Sequence, residues 1–279
     1  MHLELGGHRF DVSSRPLVMG ILNRTRDSFY DRGAHFRLDA FLAHAEQQVA
    51  DGADVLDVGA RPGGVGVREV SEGEETELAV ESIEQLRRRF DVPISIDTQR
   101  AAVAAAAYAA GATLGNDMSG FRDPEYLPAA AAAGAAVIAT HIRLAPGVPD
   151  PEPIYGDVVE DVIRALEGLA AKAGAAGIPP GRIVLDPGYD LGKSWQQTLD
   201  LLAHTARFAR LGHPLLIAVS NKIFLGRLLD LERDDRGMAT VAACAYGVAH
   251  GGRVLRVHDV RAGRQVADLL AALLERDAA

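Results

Sequence analysis

The chain has 279 residues with 48% hydrophobic content, which suits a soluble protein built as one large α/β barrel or two small domains. Its net charge of −9 and the lack of a basic block argue against nucleic acid or an anionic membrane as a partner. One cysteine, Cys244, excludes an intrachain disulfide, and the N-terminus lacks an apolar signal segment, so we expect a cytoplasmic protein.

The chain begins with a predicted β-hairpin from His2 to Val12 that turns at Gly6-Gly7. A unit of apolar strand, polar loop and amphipathic helix then repeats. The predicted strands are Leu17–Leu22, Asp54–Val58, Pro93–Ile96, Thr113–Leu114, Ala136–Ala139, Ile183–Leu185, Leu215–Val219 and Val254–Val257. Ser71 and Glu74 fit a capping box at the start of the second helix.

Roughly eight such units predict a closed (β/α)8 barrel with a short N-terminal β-hairpin. We find no linker or composition break and therefore assign residues 1–279 to one domain. The competing architecture is an open, doubly wound sheet. Its dinucleotide fingerprint is absent, because Gly63-Gly64-Val65-Gly66 is only a partial echo of it.

Every predicted strand but the second leads into hydrogen-bonding or charged residues, and in such a barrel those ends converge on the face that carries active sites. These residues are Asn23, Asp97, Asn116, His141, Asp186, Lys222, Arg256 and His258. Each one alone has a structural explanation, such as a helix cap or a loop hydrogen bond. Their origin on different strands favours a shared site.

Two subsets make chemical sense. The first consists of Asp97, Asn116, Asp186 and Lys222. Carboxylates accept from N–H groups and an amide both donates and accepts, which suits a flat heterocycle with amino, ring N–H and carbonyl groups. The second consists of Asn23, Arg256 and His258. Arginine binds phosphate with two donors, and histidine adds a donor that charges near neutral pH.

These residues lie in motifs that together resemble the dihydropteroate synthase family over nearly the whole chain. The motifs are Asn23-Arg24-Thr25-Arg26-Asp27-Ser28-Phe29, Ser95-Ile96-Asp97-Thr98, Asn116-Asp117-Met118-Ser119-Gly120, Asp186-Pro187-Gly188 with Gly192-Lys193, and Arg256-Val257-His258-Asp259-Val260. The resemblance implies Mg²⁺-dependent condensation of 7,8-dihydropterin-6-ylmethyl diphosphate with p-aminobenzoate, which releases pyrophosphate in folate biosynthesis. It also implies a homodimer.

The resemblance assigns a role to each matching position. Asp97, Asn116, Asp186 and Lys222 would hold the pterin, and Asn23, Arg256 and His258 would contact the diphosphate, with Asn23 also meeting Mg²⁺. Lys222, Asp97 and Arg256 would be the catalytic residues. Arg61, Pro62 and Ser220 would lie on the side of the acceptor arylamine.

The chain departs from the family pattern mainly in its loops. Arg24 and Arg26 add two cations to the first loop, and three residues before Arg61 are missing from the second loop. Asp190 stands where the family has glycine, Leu191 where it has an aromatic residue, and Asn221 where it has arginine.

These departures leave several functions open. The chain is either a working but divergent dihydropteroate synthase or a paralogue that binds the pterin diphosphate and uses a different acceptor or none. A pterin-binding methyltransferase domain of the corrinoid type shares this barrel but does not need Arg256-Val257-His258. A non-enzymatic interaction protein has no reason to retain all of these polar strand ends.

Overall fold

The computed structural model describes residues 1–25, 37–61 and 70–277, and its centre is a closed barrel of eight parallel strands. The strands are β1 His2–Leu5, β2 His8–Asp11, β3 Leu17–Asn23, β4 Val55–Gly59, β5 Ile94–Asp97, β6 Leu114–Asp117, β7 Ala136–Thr140, β8 Ile183–Asp186, β9 Leu215–Ile217 and β10 Gly252–Val257. The barrel runs in chain order from β3 to β10 and closes where Val254 pairs with Leu17. The (β/α)8 barrel prediction is confirmed, and the doubly wound alternative is wrong.

Helices follow the strands around the outside of the barrel. They are α1 Leu38–Ala50, α2 Glu72–Arg87, α3 Ala101–Ala109, α4 Tyr126–Ala132, α5 Val158–Ala175, α6 Trp195–Ala203, α7 Thr205–Ala209, α8 Ile223–Leu229, α9 Gly237–Ala249 and α10 Val260–Asp277. Two short 3-10 turns lie at Pro180–Arg182 and Arg233–Asp235. In the described part of the chain, no helix has the length and apolar character needed to cross a membrane.

Local sequence explains where several of these helices begin. Ser71 Oγ accepts from the Glu74 backbone N–H at 3.2 Å, as the predicted cap requires. At α6 the capping box is complete, because the side chains of Ser194 and Gln197 each accept from the other's backbone N–H. Asp157 caps α5 by accepting from the backbone N–H groups of Val159 and Glu160.

The seventh barrel strand, β9, is shorter than predicted and ends at Ile217 rather than Val219. The chain leaves the sheet early because the Val219 carbonyl accepts from the Lys222 N–H in a tight turn. Asn221 takes a left-handed conformation there, with φ of 53°, which asparagine tolerates better than most residues.

The predicted hairpin, β1 and β2, closes the bottom of the barrel. Its buried side chains continue the apolar column inside the barrel, which comprises Leu3, Leu5, Val12, Leu17, Met19, Val55, Leu114, Ala136, Ile138, Val184, Leu216, Ala218 and Val254. A second core lies between the strands and the surrounding helices. The interior is thus packed solid at one end, and polar side chains gather at the other.

This arrangement predicts that Leu5→Ala lowers the free energy of unfolding by about 2–5 kcal/mol, because it opens a cavity beneath the barrel. Leu5 has no exposed surface, whereas Ile154 is 80% exposed. Ile154→Ala is therefore the control and should change stability by less than about 0.5 kcal/mol. Urea denaturation measures both variants, and equal losses would show that the hairpin is not part of the core.

Candidate active site

An arginine held between two carboxylates forms the centre of the polar barrel mouth. Arg256 Nε donates to Asp57 Oδ2 at 2.7 Å, and an Arg256 terminal nitrogen donates to Asp97 Oδ2 at 2.6 Å. Asn116 Nδ2 donates to the same Asp57 oxygen at 3.1 Å. We call these four residues the Arg256 cluster.

The barrel register brings the cluster together. Asp97 at the end of β5 pairs with Asn116 on β6, and Arg256 on β10 pairs with Met19 on β3. Asp57 lies on β4, between β3 and β5, so its carboxylate faces Arg256 across the barrel mouth. Three successive strands, β4 to β6, and the last strand, β10, therefore supply one charge cluster.

Burial controls the charge of this cluster. The Asp57 side chain has no exposed surface, and among the described residues its Oδ1 atom has no hydrogen-bond partner. Burial raises the pKa of the Asp97 carboxyl group to about 7; Arg256 opposes that rise and Asp57 adds to it. The cluster therefore holds two carboxyl groups against one permanent cation, and Asp97 is the group that can change its protonation state near neutral pH.

A second polar group lies around the loop that follows β8. Asp186 Oδ1 accepts from the Gly188 N–H at 2.8 Å, and Thr140 Oγ1 lies 3.4 Å from Asp186 Oδ2. Burial raises the pKa of Asp186, against the effect of the Gly188 hydrogen bond and the Lys222 charge. Lys222 Nζ donates to the Tyr189 carbonyl at 2.7 Å. The two predicted residues Asp186 and Lys222 are therefore joined through one loop.

Lys193 fastens that same loop from within. Its buried Nζ lies 2.9 Å from the Gly188 carbonyl, 3.0 Å from the Leu191 carbonyl and 2.9 Å from His141 Nδ1. Gly188 has a φ of +71°, and a Cβ there would lie 1.9 Å from the His141 carbonyl oxygen. Glycine is thus required where the loop crosses the end of β7.

The same enclosure keeps His141 neutral. Burial, followed by the charge of Lys193, lowers the pKa of His141 to about 3. Burial also lowers the pKa of Lys193 to about 7. The predicted strand-end residue His141 therefore serves as an acceptor for Lys193.

His258 and Ser220 form a third group at the carboxyl ends of the last two strands. The His258 backbone N–H donates to Ser220 Oγ at 3.2 Å, and Ser220 Oγ lies 2.9 Å from His258 Nδ1. Burial and then the charge of Arg256 lower the pKa of His258 to about 3. The expectation that this histidine charges near neutral pH is therefore wrong for the protein without ligand, because it is enclosed beside cations.

The predicted residues of the first two loops are only partly described. Asn23 ends β3, and its Oδ1 lies 2.6 Å from the position that a Cβ of Gly59 would take. The Arg61 guanidinium lies 3.0 and 3.2 Å from the Gln99 side-chain oxygen, with that amide turned so that its oxygen accepts. Arg61 is also close enough to favour the ionised form of Asp97. Pro62 lies outside the described residues.

The Arg24 side chain contacts helix α2. Its guanidinium donates to Glu81 Oε2 at 2.6 Å and to Ser82 Oγ at 3.3 Å, both on α2. Its side chain is 8% exposed. The Glu81 carboxylate on α2 thus offsets the charge of Arg24. Arg26 lies outside the described residues, so the effect of the two arginines on the charge of the first loop stays a prediction.

Asp57 is the site residue that the sequence analysis missed. A signal was present, because Asp57 interrupts the apolar run Val55-Leu56-Asp57-Val58 of a strand that is otherwise buried. A carboxylate inside such a strand needs a cationic partner. Arg256, the one charged residue between Val254 and Val257 in the last strand, had the same signature.

The arrangement can bind a flat, polar ring beside an anion. Carboxyl, amide and ammonium groups at the ends of β5, β6, β8 and β9 offer both acceptors and donors. Arg256 on β10 and the Ser220–His258 pair, which follows β9 and β10, supply donors for an anion. The described residues contain no group of three or more His, Cys, Asp or Glu side chains that could hold a metal.

Known proteins share both the sequence and this fold. Residues 19–258 match the pterin binding enzyme family. A dihydropteroate synthase of Synechocystis is 38% identical over 97% of this chain and 94% of its own, and an inactive dihydropteroate synthase 2 of Mycobacterium leprae is 41% identical over 94% and 92%. The structure of a Yersinia pestis dihydropteroate synthase in a sulfonamide drug complex has a TM-score of 0.94, with 37% identity and coverage of 99% and 100%. The chain therefore belongs to the pterin binding enzyme family, as a transferase of the dihydropteroate synthase type.

Proposed function

We propose that this protein joins 7,8-dihydropterin-6-ylmethyl diphosphate to p-aminobenzoate and releases pyrophosphate, the dihydropteroate synthase step of folate biosynthesis. One observation carries the proposal: Arg256 donates to the Asp97 carboxylate, which suits a pterin, and lies close enough to His258, which suits a phosphate, for its charge to lower the pKa of that histidine. Similarity to named dihydropteroate synthases over nearly the whole chain supports it.

In this proposal, the pterin lies among Asp97, Asn116, Asp186 and Lys222. The carboxylates of Asp97 and Asp186 accept from ring N–H and amino groups, and the Lys222 ammonium donates to the ring carbonyl or a ring nitrogen. The Tyr189 carbonyl holds that ammonium in the protein without ligand. When the pterin binds, its hydrogen bonds to these side chains thus replace the bonds that the side chains make within the protein.

Arg256 has two tasks in the proposed reaction. Without ligand it neutralises Asp57 and Asp97. Once the pterin donates to Asp97, the freed N–H group of Arg256 can turn to the diphosphate, where charge develops as the C–O bond breaks. Asp57 keeps the other side of the guanidinium in place. His258, whose Nδ1 lies 2.9 Å from Ser220 Oγ, is proposed to donate to a phosphate oxygen.

We also propose that Mg²⁺ binds with the diphosphate at Asn23. The residues fit a magnesium ion that is held mainly by substrate phosphates and water, because Asn23 supplies one amide oxygen at the end of β3. Bound there, Mg²⁺ would neutralise charge on the leaving group.

In this proposal, the acceptor amine binds on the side of the site that the resemblance assigns to Arg61, Pro62 and Ser220. Arg61 lies close to Asp97, and Ser220 lies beside His258, so both border the groups proposed to hold the pterin diphosphate. A guanidinium and a hydroxyl group suit the carboxylate of p-aminobenzoate.

A second candidate function is binding of the pterin diphosphate with a different acceptor amine or none, and with little synthase activity. The Mycobacterium leprae relative that is named inactive is 41% identical to this chain, against 38% for the Synechocystis synthase. The chain also departs from the family pattern in the two loops next to the acceptor. In this candidate the pterin half of the site works, and the acceptor half does not take p-aminobenzoate.

We further propose a cytoplasmic homodimer. Large apolar side chains are exposed on the helices α8, α9 and α10, namely Ile223, Leu228, Leu229, Met238, Tyr246, Leu269 and Leu273. Helices α9 and α10 pack against each other, and exposed apolar side chains on such a pair suit a self-association surface. The single cysteine is buried and free, as a reducing compartment allows.

The first test follows pyrophosphate release from the dihydropterin diphosphate by the purified protein, with and without Mg²⁺ and p-aminobenzoate. We expect release that needs both and yields dihydropteroate. Saturable binding of the diphosphate with no release would support the second candidate. Absence of binding would contradict both.

The pKa of Asp97 predicts how pterin binding depends on pH. Ring N–H donors favour the ionised carboxylate, and burial raises the pKa of Asp97 to about 7 without ligand. Affinity for 6-hydroxymethyl-7,8-dihydropterin should therefore rise as the pH increases through about 7 and then level off. Calorimetric titration of wild type and Asp97→Asn tests this.

The Asp97→Asn variant should bind the pterin at least about tenfold more weakly at pH 8, because a charged hydrogen bond is lost. Its affinity should also lose the rise near neutral pH. A variant that retained the pH dependence of the wild type would show that another group controls binding.

The role of Arg256 predicts a difference between two ligands. Arg256→Gln should weaken binding of the pterin diphosphate by roughly 100-fold, because a cation that contacts the phosphate is lost. Binding of the hydroxymethyl pterin should weaken far less. Arg253→Gln is the matched control, because Arg253 bonds to backbone carbonyls at the opposite end of the same strand. Equal losses for the two ligands in Arg256→Gln would contradict the phosphate role.

A further inference from the structure

Asp190 is an unusual residue in the loop that follows β8. It adopts a left-handed conformation with φ of 61°, and the resemblance described above places glycine at this position. Aspartate is among the non-glycine residues that tolerate this conformation best. Its N–H donates to Thr198 Oγ1 on α6 at 3.2 Å. The loop thus retains the shape that suits glycine but presents a carboxylate.

That carboxylate reaches the segment that carries Lys222. Asp190 Oδ2 accepts from the Phe224 backbone N–H at 3.2 Å, in the first turn of α8. Lys222 is the residue before this helix, and its own side chain makes no capping hydrogen bond. Asp190 therefore supplies the cap from another loop and fixes the backbone that follows Lys222.

The neighbouring residue contacts the other end of the same lysine. The Tyr189 carbonyl accepts from Lys222 Nζ at 2.7 Å. Two consecutive residues of one loop thus fix both the backbone and the ammonium group of Lys222.

Asp190 also changes the charge around that ammonium group. The charged and titratable groups that act on Lys222 from the packed elements include Asp97, Asp186, Asp190, Lys193, Arg256 and His258. Burial lowers the pKa of Lys222, and the carboxylates of Asp190 and then Asp186 oppose this effect. A glycine at residue 190 would remove the carboxylate that raises the pKa of Lys222 most, leaving Asp186 and then Asp97 to favour its charged form.

We propose that Asp190 is a positioning residue that sets the place of the Lys222 ammonium group in the pterin site and sustains its positive charge. This role rests on the proposed function, since Lys222 matters there as a donor to the pterin. The geometry links the loops after β8 and β9, which carry Asp186 and Lys222, so the carboxylate also sets the spacing of those two groups.

The chain allows a direct measurement of this effect because it contains only three lysines, Lys172, Lys193 and Lys222. We would label the lysine side chains with 13C at the ε-carbon, assign the Lys222 signal with Lys222→Met, and titrate the protein by NMR. In Asp190→Asn, the Lys222 signal should titrate at lower pH than in wild type, because a neighbouring negative charge is gone. The Lys172 signal should not change.

Asp190→Asn is the informative variant because asparagine keeps the left-handed conformation and an oxygen that can cap α8. Asp190→Gly keeps the conformation but removes the cap as well, so it separates capping from charge. Asp200→Asn is the matched control, since Asp200 is an exposed carboxylate on nearby α6. Thermal unfolding identifies any variant that fails to fold.

Binding of 6-hydroxymethylpterin provides the second readout. In Asp190→Asn we expect the dissociation constant to rise roughly tenfold at about pH 9, where Lys222 loses its proton more readily, and to change less at about pH 7. Asp200→Asn should bind like wild type. A folded Asp190→Asn variant with an unchanged Lys222 titration would overturn the proposal.

The two measurements separate the proposal from the function on which it rests. If the Lys222 titration shifts but wild type binds no pterin, the positioning of Lys222 stands and the pterin function fails. If wild type binds the pterin and Asp190→Gly alone weakens it, with no change in Asp190→Asn, Asp190 places Lys222 through the helix cap, and the proposed effect of its charge is wrong.

Discussion

The organisation of this barrel mouth depends on the need to pair buried charge. Asp57 has no exposed surface, so its carboxylate is tolerated only because Arg256 and Asn116 donate to it. Loss of one partner from such a pair typically costs about 3–5 kcal/mol. Arg256 therefore bridges β4, β5 and β10 and joins the start of the barrel to its end.

The same constraint explains the loop after β8. Lys193 is buried, and backbone carbonyls and His141 surround its ammonium group. In the same loop, the Tyr189 carbonyl accepts from the Lys222 ammonium group, and Asp190 accepts from the Phe224 backbone N–H. The loop is thus a rigid connection between the carboxylate of Asp186 and the ammonium of Lys222. A ligand that replaces these internal partners enters a site whose geometry is already set, which reduces the cost of ordering side chains on binding.

Three residues that depart from the family pattern form specific contacts with neighbouring elements. Arg24 is paired with Glu81 on α2, and Asp190 caps α8. Asn221 uses its tolerance of a left-handed conformation in the turn before Lys222 and accepts from Thr240 Oγ1. These contacts are consistent with a chain that has kept its pterin side while its loops changed, and they leave activity with p-aminobenzoate as the property that distinguishes the two candidate functions.

The sequence by itself determined the barrel, the hairpin and the residues at the strand ends, because period, strand length and turn residues are local properties of the chain. It could not show that Arg256 binds Asp57 and Asp97, since these residues are up to 199 positions apart and meet only when the barrel closes. It also misjudged the charge of His258 and could not show that Arg24 pairs with Glu81, because both depend on neighbours from other elements. Local pattern specified which residues reach the mouth, whereas closure of the barrel decided their partners and, through burial, their protonation.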